Sequence, residues 1–206
     1  MARYGMAIDL KRCFGCQACA AACKIANNLP KGVAYNRVLT QGGDFPDTPA
    51  GEFPNCSLSF LPMQCQHCDN PACVAVCPTG ATQKRDDGIV WVDDTMCIGC
   101  MSCIDACPYE GVRVALDDDP AYYLDVVVGE HDAPAHIGRT VEKCTFCHNL
   151  IDRGEEPACM QLCPGRARHW GDLDDPESDV CKAIEGREYE LLREDQGTGP
   201  CVYYLK

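Results

Sequence analysis

Cys97, Cys100, Cys103 and Cys107, with Pro108 directly after, stand in the spacing C-x2-C-x2-C-x3-C-P. Three thiolates from one tight loop can cap one face of an iron–sulfide cubane, while the fourth points away toward a second cubane. Cys13, Cys16, Cys19 and Cys23 repeat the undivided pattern, with Lys24 in place of the proline. Cys65, Cys68, Cys73 and Cys77 form a more open quartet, and Cys144, Cys147, Cys159 and Cys163 another, closed by Pro78 and Pro164. All sixteen therefore read as iron ligands, enough for four [4Fe–4S] clusters, whose chemistry is one-electron transfer.

Two other uses of so many thiols fit the spacing less well. A disulfide framework pairs thiols at scattered intervals, and the 206 residues carry an odd total of 19 Cys. Structural zinc takes two separated C-x2-C pairs around one ion, which the two undivided quartets match poorly. Cys56, Cys181 and Cys201 lie outside the quartets and read as small buried or half-buried thiols; a Cys181–Cys201 disulfide formed after export is the alternative. His67 and His148 adjoin ligand cysteines but, beside complete quartets, read as neighbours and not as ligands. Lys24, Arg85, Lys143 and Arg166 flank the loops, where positive charge would raise a cluster's reduction potential; solvation at the surface explains them equally well. Trp91 and Trp170 read as core. No nucleophile–base set or phosphate loop is present, so the chain is expected to be non-catalytic.

The elements that must position these cysteines come twice. Met6-Ala7-Ile8-Asp9 leads into the first quartet, and Val90-Trp91-Val92-Asp93 leads into the third. Each is a short apolar run that reads as a strand entering a cysteine loop. Gly15 and Gly99 occupy the same place in those loops, where the backbone must turn tightly. The second and fourth quartets also match each other, down to Pro71-Ala72-Cys73 and Pro157-Ala158-Cys159. This internal repeat predicts an α+β fold, a duplicated ferredoxin-like chain of two two-cluster units with loop insertions. Unit A runs over about 60–112 and unit B over about 1–30 plus 140–175, with an insertion at about 113–140 and a tail at 176–206.

Between the blocks, Ile25 to Met63 reads as loop with one strand near Ser57 to Leu61. Asp87-Gly88 reads as a hairpin turn. Tyr122 to Val128 reads as a hairpin arm, Pro176 to Glu188 as a helix, and Val202 to Leu205 as a terminal strand. Ligand pairing stays open at this level. Chain proximity suggests Cys65, Cys68 and Cys73 with Cys107, and Cys97, Cys100 and Cys103 with Cys77. The remainder gives Cys13, Cys16 and Cys19 with Cys163, and Cys144, Cys147 and Cys159 with Cys23. The rival scheme pairs the first quartet with the second and the third with the fourth.

Net charge is −13, and four clusters with their thiolates add about −8. Such acidity argues against nucleic acid or anionic lipid as a partner. The cysteine loops begin too close to Met1 for a signal peptide, and no apolar run reaches the roughly 18 residues a membrane helix needs.

The four quartets in this order, Arg3-Tyr4-Gly5-Met6-Ala7-Ile8-Asp9, the block Trp170 to Ser178, and the ending Gly197-Thr198-Gly199-Pro200 with Tyr203-Tyr204-Leu205 resemble the iron–sulfur subunits of the dimethyl sulfoxide reductase family of molybdopterin oxidoreductases, most of all the polysulfide/thiosulfate reductase type. The resemblance covers nearly the whole chain apart from about Asp117 to His136. It implies that the second quartet pairs with the third and the first with the fourth. It further implies a catalytic partner carrying a molybdenum or tungsten bis-pterin centre and, as in many relatives, a membrane subunit that exchanges electrons with quinone. Electrons would pass through four clusters between these partners, and the complex would sit at the membrane, co-exported to its outer face with the catalytic subunit, or else remain cytoplasmic. A freestanding polyferredoxin carrier is the alternative.

Overall fold

A computed structural model describes residues 2–40, 48–129, 131–133 and 136–206. Among the described residues the one sheet of more than two strands is built from the chain's two ends. Strand β1 (Tyr4–Asp9) lies at its centre and is buried along all but its first residue, as expected of an apolar run packed on both faces. Met6 and Ile8 point into the main core, while Ala7 packs on the opposite face with Val180 and Leu205. From its end the chain passes through helix α1 (Ala18–Ala26) and strands β2 (Asn36–Thr40), β3 (Ala50–Glu52), β4 (Asn55–Ser57) and β5 (Phe60–Gln64). Helix α2 (Ala72–Ala75), strands β6 (Thr82–Lys84) and β7 (Val90–Val92), helix α3 (Ser102–Asp105) and strand β8 (Arg113–Ala115) follow. Strand β9 (Val141–Lys143), helices α4 (His148–Ile151) and α5 (Ala158–Gln161), strand β10 (Arg168–Asp172), helix α6 (Asp179–Ile184) and strands β11 (Tyr189–Leu191) and β12 (Val202–Leu205) complete it.

Among the described residues the remaining sheets are pairs: β2 with β5, β3 with β4, β6 with β7, and β8 with β9, all antiparallel. In the larger sheet the order is β10-β1-β12-β11, with β1 antiparallel to β10 and parallel to β12. The fold is α+β, as the sequence predicts. The expected turn at Asp87-Gly88 joins β6 to β7, with Gly88 N–H donating to the Arg85 carbonyl at 3.0 Å. The expected terminal strand is β12, and the helix in the tail is the shorter α6, capped where the Ser178 hydroxyl accepts from Cys181 N–H at 3.3 Å.

Two readings need correction. Ile25 to Met63 holds the β2–β5 ladder and the β3–β4 pair, more strand than its Gly- and Pro-rich composition suggests. Tyr122 to Val128 forms no hairpin: Tyr123, Leu124, Val126 and Val127 are exposed, and no strand lies there. β-Branched residues favour a strand only where a neighbour completes the ladder. This segment instead drapes over the end of α1, where Val128 N–H donates to Asn28 Oδ1 at 3.1 Å and the Lys24 and Lys31 ammoniums lie over the Tyr123 ring.

The insertion emerges between β8 and β9 and is fastened at its far end by His136. Its Nδ1 faces the Glu142 carboxylate at 2.9 Å and its Nε2 faces the Asn27 carbonyl at 2.8 Å. Tyr35 hydroxyl donates to the same carboxylate at 2.7 Å. Burial pulls the imidazole's pKa down, but the bonds to Glu142 and Asn27 outweigh it, and the result lies above the usual histidine value. A raised folded-state pKa contributes stability below the unfolded value of about 6.5 and loses it as pH climbs through the folded value. The melting-temperature gap between the protein and its His136→Gln variant should therefore be widest near about pH 6 and narrow on the alkaline side. A gap independent of pH would contradict the ion pair.

Candidate iron–sulfur centres

One local device lays out every quartet. In the first C-x2-C step of each quartet, the residue before the second cysteine has a left-handed backbone: Gly15 (φ 73°), His67 (φ 43°), Gly99 (φ 65°) and Phe146 (φ 54°). The reversal lets both sulfurs of a step face one side. The third cysteine then rides a short helix, Cys19 on α1, Cys73 on α2, Cys103 on α3 and Cys159 on α5. Cys23 lies further along α1, and Cys77, Cys107 and Cys163 follow just past the ends of the other three helices. Helix α1 packs against α5, and α2 against α3. That packing brings the first quartet to the fourth and the second to the third.

The sulfurs gather accordingly. Cys13, Cys16, Cys19 and Cys163 line one cavity of about 350 Å³, open mouth included. Cys65, Cys68, Cys73 and Cys107 line another of about 320 Å³, the similarity that one kind of occupant would require. Burial first, then the thiols of Cys144, Cys147 and Cys159, push the Cys23 thiol far above its ordinary pKa. Cys100 feels Cys77 after the Ser102 hydrogen bonds and burial, and Cys103, raised mainly by burial, feels Cys73 of the neighbouring group as well as Cys97.

Such groups suit a cationic polynuclear core. Several thiolates cannot stay ionised together in a buried place unless positive charge is supplied among them. Backbone N–H groups meet the sulfurs as well: Thr82 to Cys77 and Val141 to Cys97 at 3.4 Å, Phe146 to Cys144 at 3.4 Å, and Ala167 to Cys163 at 3.3 Å. Burial raises the Cys77 thiol, yet the N–H groups of Thr82 and Thr79 and the Thr79 hydroxyl bring it down to about 7. Among the described residues, no three Cys, His, Asp or Glu close to the spacing of a single metal ion. Sulfurs spread around a cavity fit a cluster better than one zinc.

Exposure grades along the molecule. Cys16 and Cys100 are exposed, each in a group with two half-buried members. In the other two groups three of four cysteines are buried: Cys23, Cys144 and Cys147 in one, Cys65, Cys68 and Cys73 in the other. These sheltered groups adjoin, since Cys65 acts on the Cys144 thiol after burial does. At their junction the His67 and Phe146 rings stack with centroids 3.7 Å apart. A left-handed backbone is costly for such residues, and burying both rings in this stack offsets it. His67 Nδ1 accepts from Val90 N–H at 3.0 Å, and burial holds the ring neutral.

Several participants escape sequence reading. The C-terminal segment straps over the Cys65–Cys68 loop: Asp69 N–H donates to the Gly199 carbonyl at 2.7 Å and Cys201 N–H to the Gln66 carbonyl at 2.9 Å. Asn27 Nδ2 donates to Cys23 Sγ at 3.6 Å. Arg168 and Arg113 enter the clustered sulfurs from β10 and β8. Of the cations that flank the loops in sequence, Arg85 is held by Asp152 and Asp87, Arg166 is exposed, and Lys24 bonds the Pro30 and Val33 carbonyls at 2.8 and 3.0 Å. Lys143 is fully buried on the carbonyls of Val90 and Cys144. Cys56 is exposed. Cys181 and Cys201 are free thiols that bond different carbonyls, those of Asp172 and Leu173 and that of Gly199. Trp170 is core, stacked on Tyr4 at 4.9 Å.

Gly99 offers a local test. A Cβ there would lie 2.0 Å from the Arg139 carbonyl oxygen, a backbone atom. The left-handed φ alone costs a non-glycine about 1–2 kcal/mol, before that clash. Gly99→Ala should therefore deplete iron at the Cys97–Cys100 loop and spare the other groups, as iron content and electron paramagnetic resonance would register. Full iron in the variant would show that the loop tolerates a side chain.

Comparison with known proteins places these loops in a family context. Models described as a 4Fe-4S dicluster domain match residues 56–121 and 89–164, and one described as a 4Fe-4S binding domain matches residues 10–34. The chain is 45% identical to a candidate dimethyl sulfoxide reductase iron–sulfur subunit of Halobacterium salinarum, over 100% of this chain and 79% of that one. It is 35% identical to the arsenate respiratory reductase iron–sulfur subunit of a Shewanella species, over 99% and 96%. Against a tetrathionate reductase subunit of Salmonella typhimurium it is 38% identical, over 98% and 72%. Among the described residues no helix is long and apolar enough to cross a membrane.

Proposed function

The chain belongs to the iron–sulfur, electron-transfer subunits of the dimethyl sulfoxide reductase family of molybdopterin oxidoreductases, and from that premise we propose that it holds four [4Fe–4S] clusters in a single file. Cluster 1 is held by Cys13, Cys16, Cys19 and Cys163, and cluster 2 by Cys23, Cys144, Cys147 and Cys159. Cluster 3 is held by Cys65, Cys68, Cys73 and Cys107, and cluster 4 by Cys77, Cys97, Cys100 and Cys103. The clusters supply one-electron redox chemistry; the chain grips them, spaces them and keeps water from the inner two. The observation that carries this reading is the convergence of sulfurs across quartets, with two groups sheltered and two partly open. The recurring left-handed loop residue and the paired helices support descent of the chain from a duplicated two-cluster unit. On this division β8 and β9 join the units, and the insertion is the excursion between them.

The open groups mark where partners dock. Phe14, 57% exposed, and Leu162 stand beside cysteines of cluster 1, while Ile98, 65% exposed, Met101 and Val76 stand beside those of cluster 4. Apolar side chains are left in water at such places when a partner covers them. One face would meet a catalytic subunit with its bis-pterin metal centre, the other an electron donor or acceptor such as a quinone-linked membrane subunit. Anaerobic purification of the native complex should return about sixteen iron and sixteen acid-labile sulfide per chain, together with the large subunit. Far fewer of each would overturn the four-cluster reading, and isolation of a fully loaded chain alone would favour a freestanding carrier.

A further inference from the structure

Arg168 and Arg113 are 3% and 5% exposed, and among the described residues neither meets a carboxylate. A buried guanidinium without an anion is costly, so its neighbours indicate what compensates it. Arg168 Nη2 donates to Cys19 Sγ at 3.6 Å and Nη1 to Cys159 Sγ at 3.8 Å. These two sulfurs belong to different quartets. Neutral groups hold the rest of the fork, Asn36 Oδ1 at 3.0 Å and Gln64 Oε1 at 3.4 Å.

Arg113 repeats the arrangement in the other half. Its two terminal nitrogens are buried without a hydrogen-bond partner. It lines the cavity of Cys65, Cys68, Cys73 and Cys107, and it also acts on the thiol of Cys103, from the neighbouring group. Each arginine is the first residue of the strand that follows a Cys-Pro turn, β10 after Cys163-Pro164 and β8 after Cys107-Pro108.

We propose that Arg168 and Arg113 are shared counter-cations, one fixed between clusters 1 and 2 and one between clusters 3 and 4, each raising the reduction potentials of both its neighbours. This rests on the four-cluster reading. Adding an electron to a cluster adds one negative charge, and a fixed positive charge at a ligand sulfur favours that reduced form. Because Arg168 contacts sulfurs of two groups, and Arg113 lines the cavity of one group and acts on a thiol of the next, removing either should move two clusters together. The other two should stay nearly in place. Arg85 and Lys24 have no such reach, being occupied by carboxylates and by carbonyls.

The test is a potentiometric titration of the intact complex followed by electron paramagnetic resonance. In Arg168→Met, the reduced-to-oxidised ratio of clusters 1 and 2 at fixed potential should fall at least tenfold, about 59 mV for one electron. Clusters 3 and 4 should hold their values, and Arg113→Met should give the reverse. Unchanged potentials with full iron would overturn the proposal. Should the methionine variants lose iron, Arg168→Lys and Arg168→Gln decide: charge retention predicts that lysine keeps iron and near-native potentials and glutamine does not. Loss of iron in both, or native potentials in the glutamine variant, would assign the arginine to fold geometry alone and overturn the proposal. Native protein lacking sixteen iron would instead refute the reading on which it rests.

Discussion

Cys100→Ser should stop electron flow from the physiological donor while the associated catalytic subunit goes on turning over with an artificial dye that reduces it directly. Cys100, a ligand of the proposed cluster 4, is exposed, and its sulfur meets the Ser102 hydroxyl at 3.5 Å, so nothing in the core depends on it. Loss even of a partner that merely orients a metal ligand typically costs roughly 10–100-fold in affinity or activity; losing a ligand itself should exceed this. Serine offers an oxygen that ionises less readily and suits iron less well than a thiolate. The variant should fold, bind its large subunit and lose the spectroscopic signature of one cluster. Physiological flow at the native rate in such a stably folded variant would remove cluster 4 from the route. The same change at Cys147, buried beside Leu150 and Ala158, should instead impair assembly.

What can be read without the structure follows from how local each signal is. Quartet spacing, the strand before each loop, the β6–β7 turn and the terminal strand are written within a few residues of one another, and all are found where expected. Gly15 and Gly99 disclose the left-handed turn because glycine advertises it; His67 and Phe146 make the same turn but conceal it, since their strain is offset by a ring partner 79 residues away in the chain. Arg113 and Arg168 are hidden for a similar reason. They sit six and five residues beyond a ligand cysteine, outside the cysteine loops and the charges that flank them, and reach the sulfurs only once their strands are laid down. The Tyr122 to Val128 segment misleads the other way, with strand-forming residues but no strand beside them.

Iron removal should leave most of this chain unfolded. Helices α2, α3, α4 and α5 have four residues each, far below the roughly 12–15 at which an isolated helix becomes even marginal. The β2–β5, β3–β4, β6–β7 and β8–β9 pairs are two-stranded, and such pairs rarely persist alone in water. Around the cysteine loops the apolar packing itself is part sulfur: Cys73 and Cys103 stand with Val90 and Val141, and Cys68 with Tyr109 and Val112. Stripped of iron, the buried thiols protonate, since burial and mutual repulsion already press the Cys23 and Cys144 thiols upward. Arg113 and Arg168 then lose the anions that offset them. Two uncompensated buried cations at several kcal/mol each rival the whole of the roughly 5–15 kcal/mol by which a typical domain is stable. Among the described residues the β10-β1-β12-β11 sheet alone has more than two strands, and its Ala7, Val180 and Leu205 pack against α6 without a cysteine among the buried members, so residual structure should be confined to it. Anaerobic chelation should therefore abolish most far-ultraviolet circular dichroism and expose the loops to protease, with iron and sulfide restoring both. An iron-free chain that kept its ellipticity and melted cooperatively would show that side-chain packing alone suffices, against the reading of the clusters as the centre of the fold.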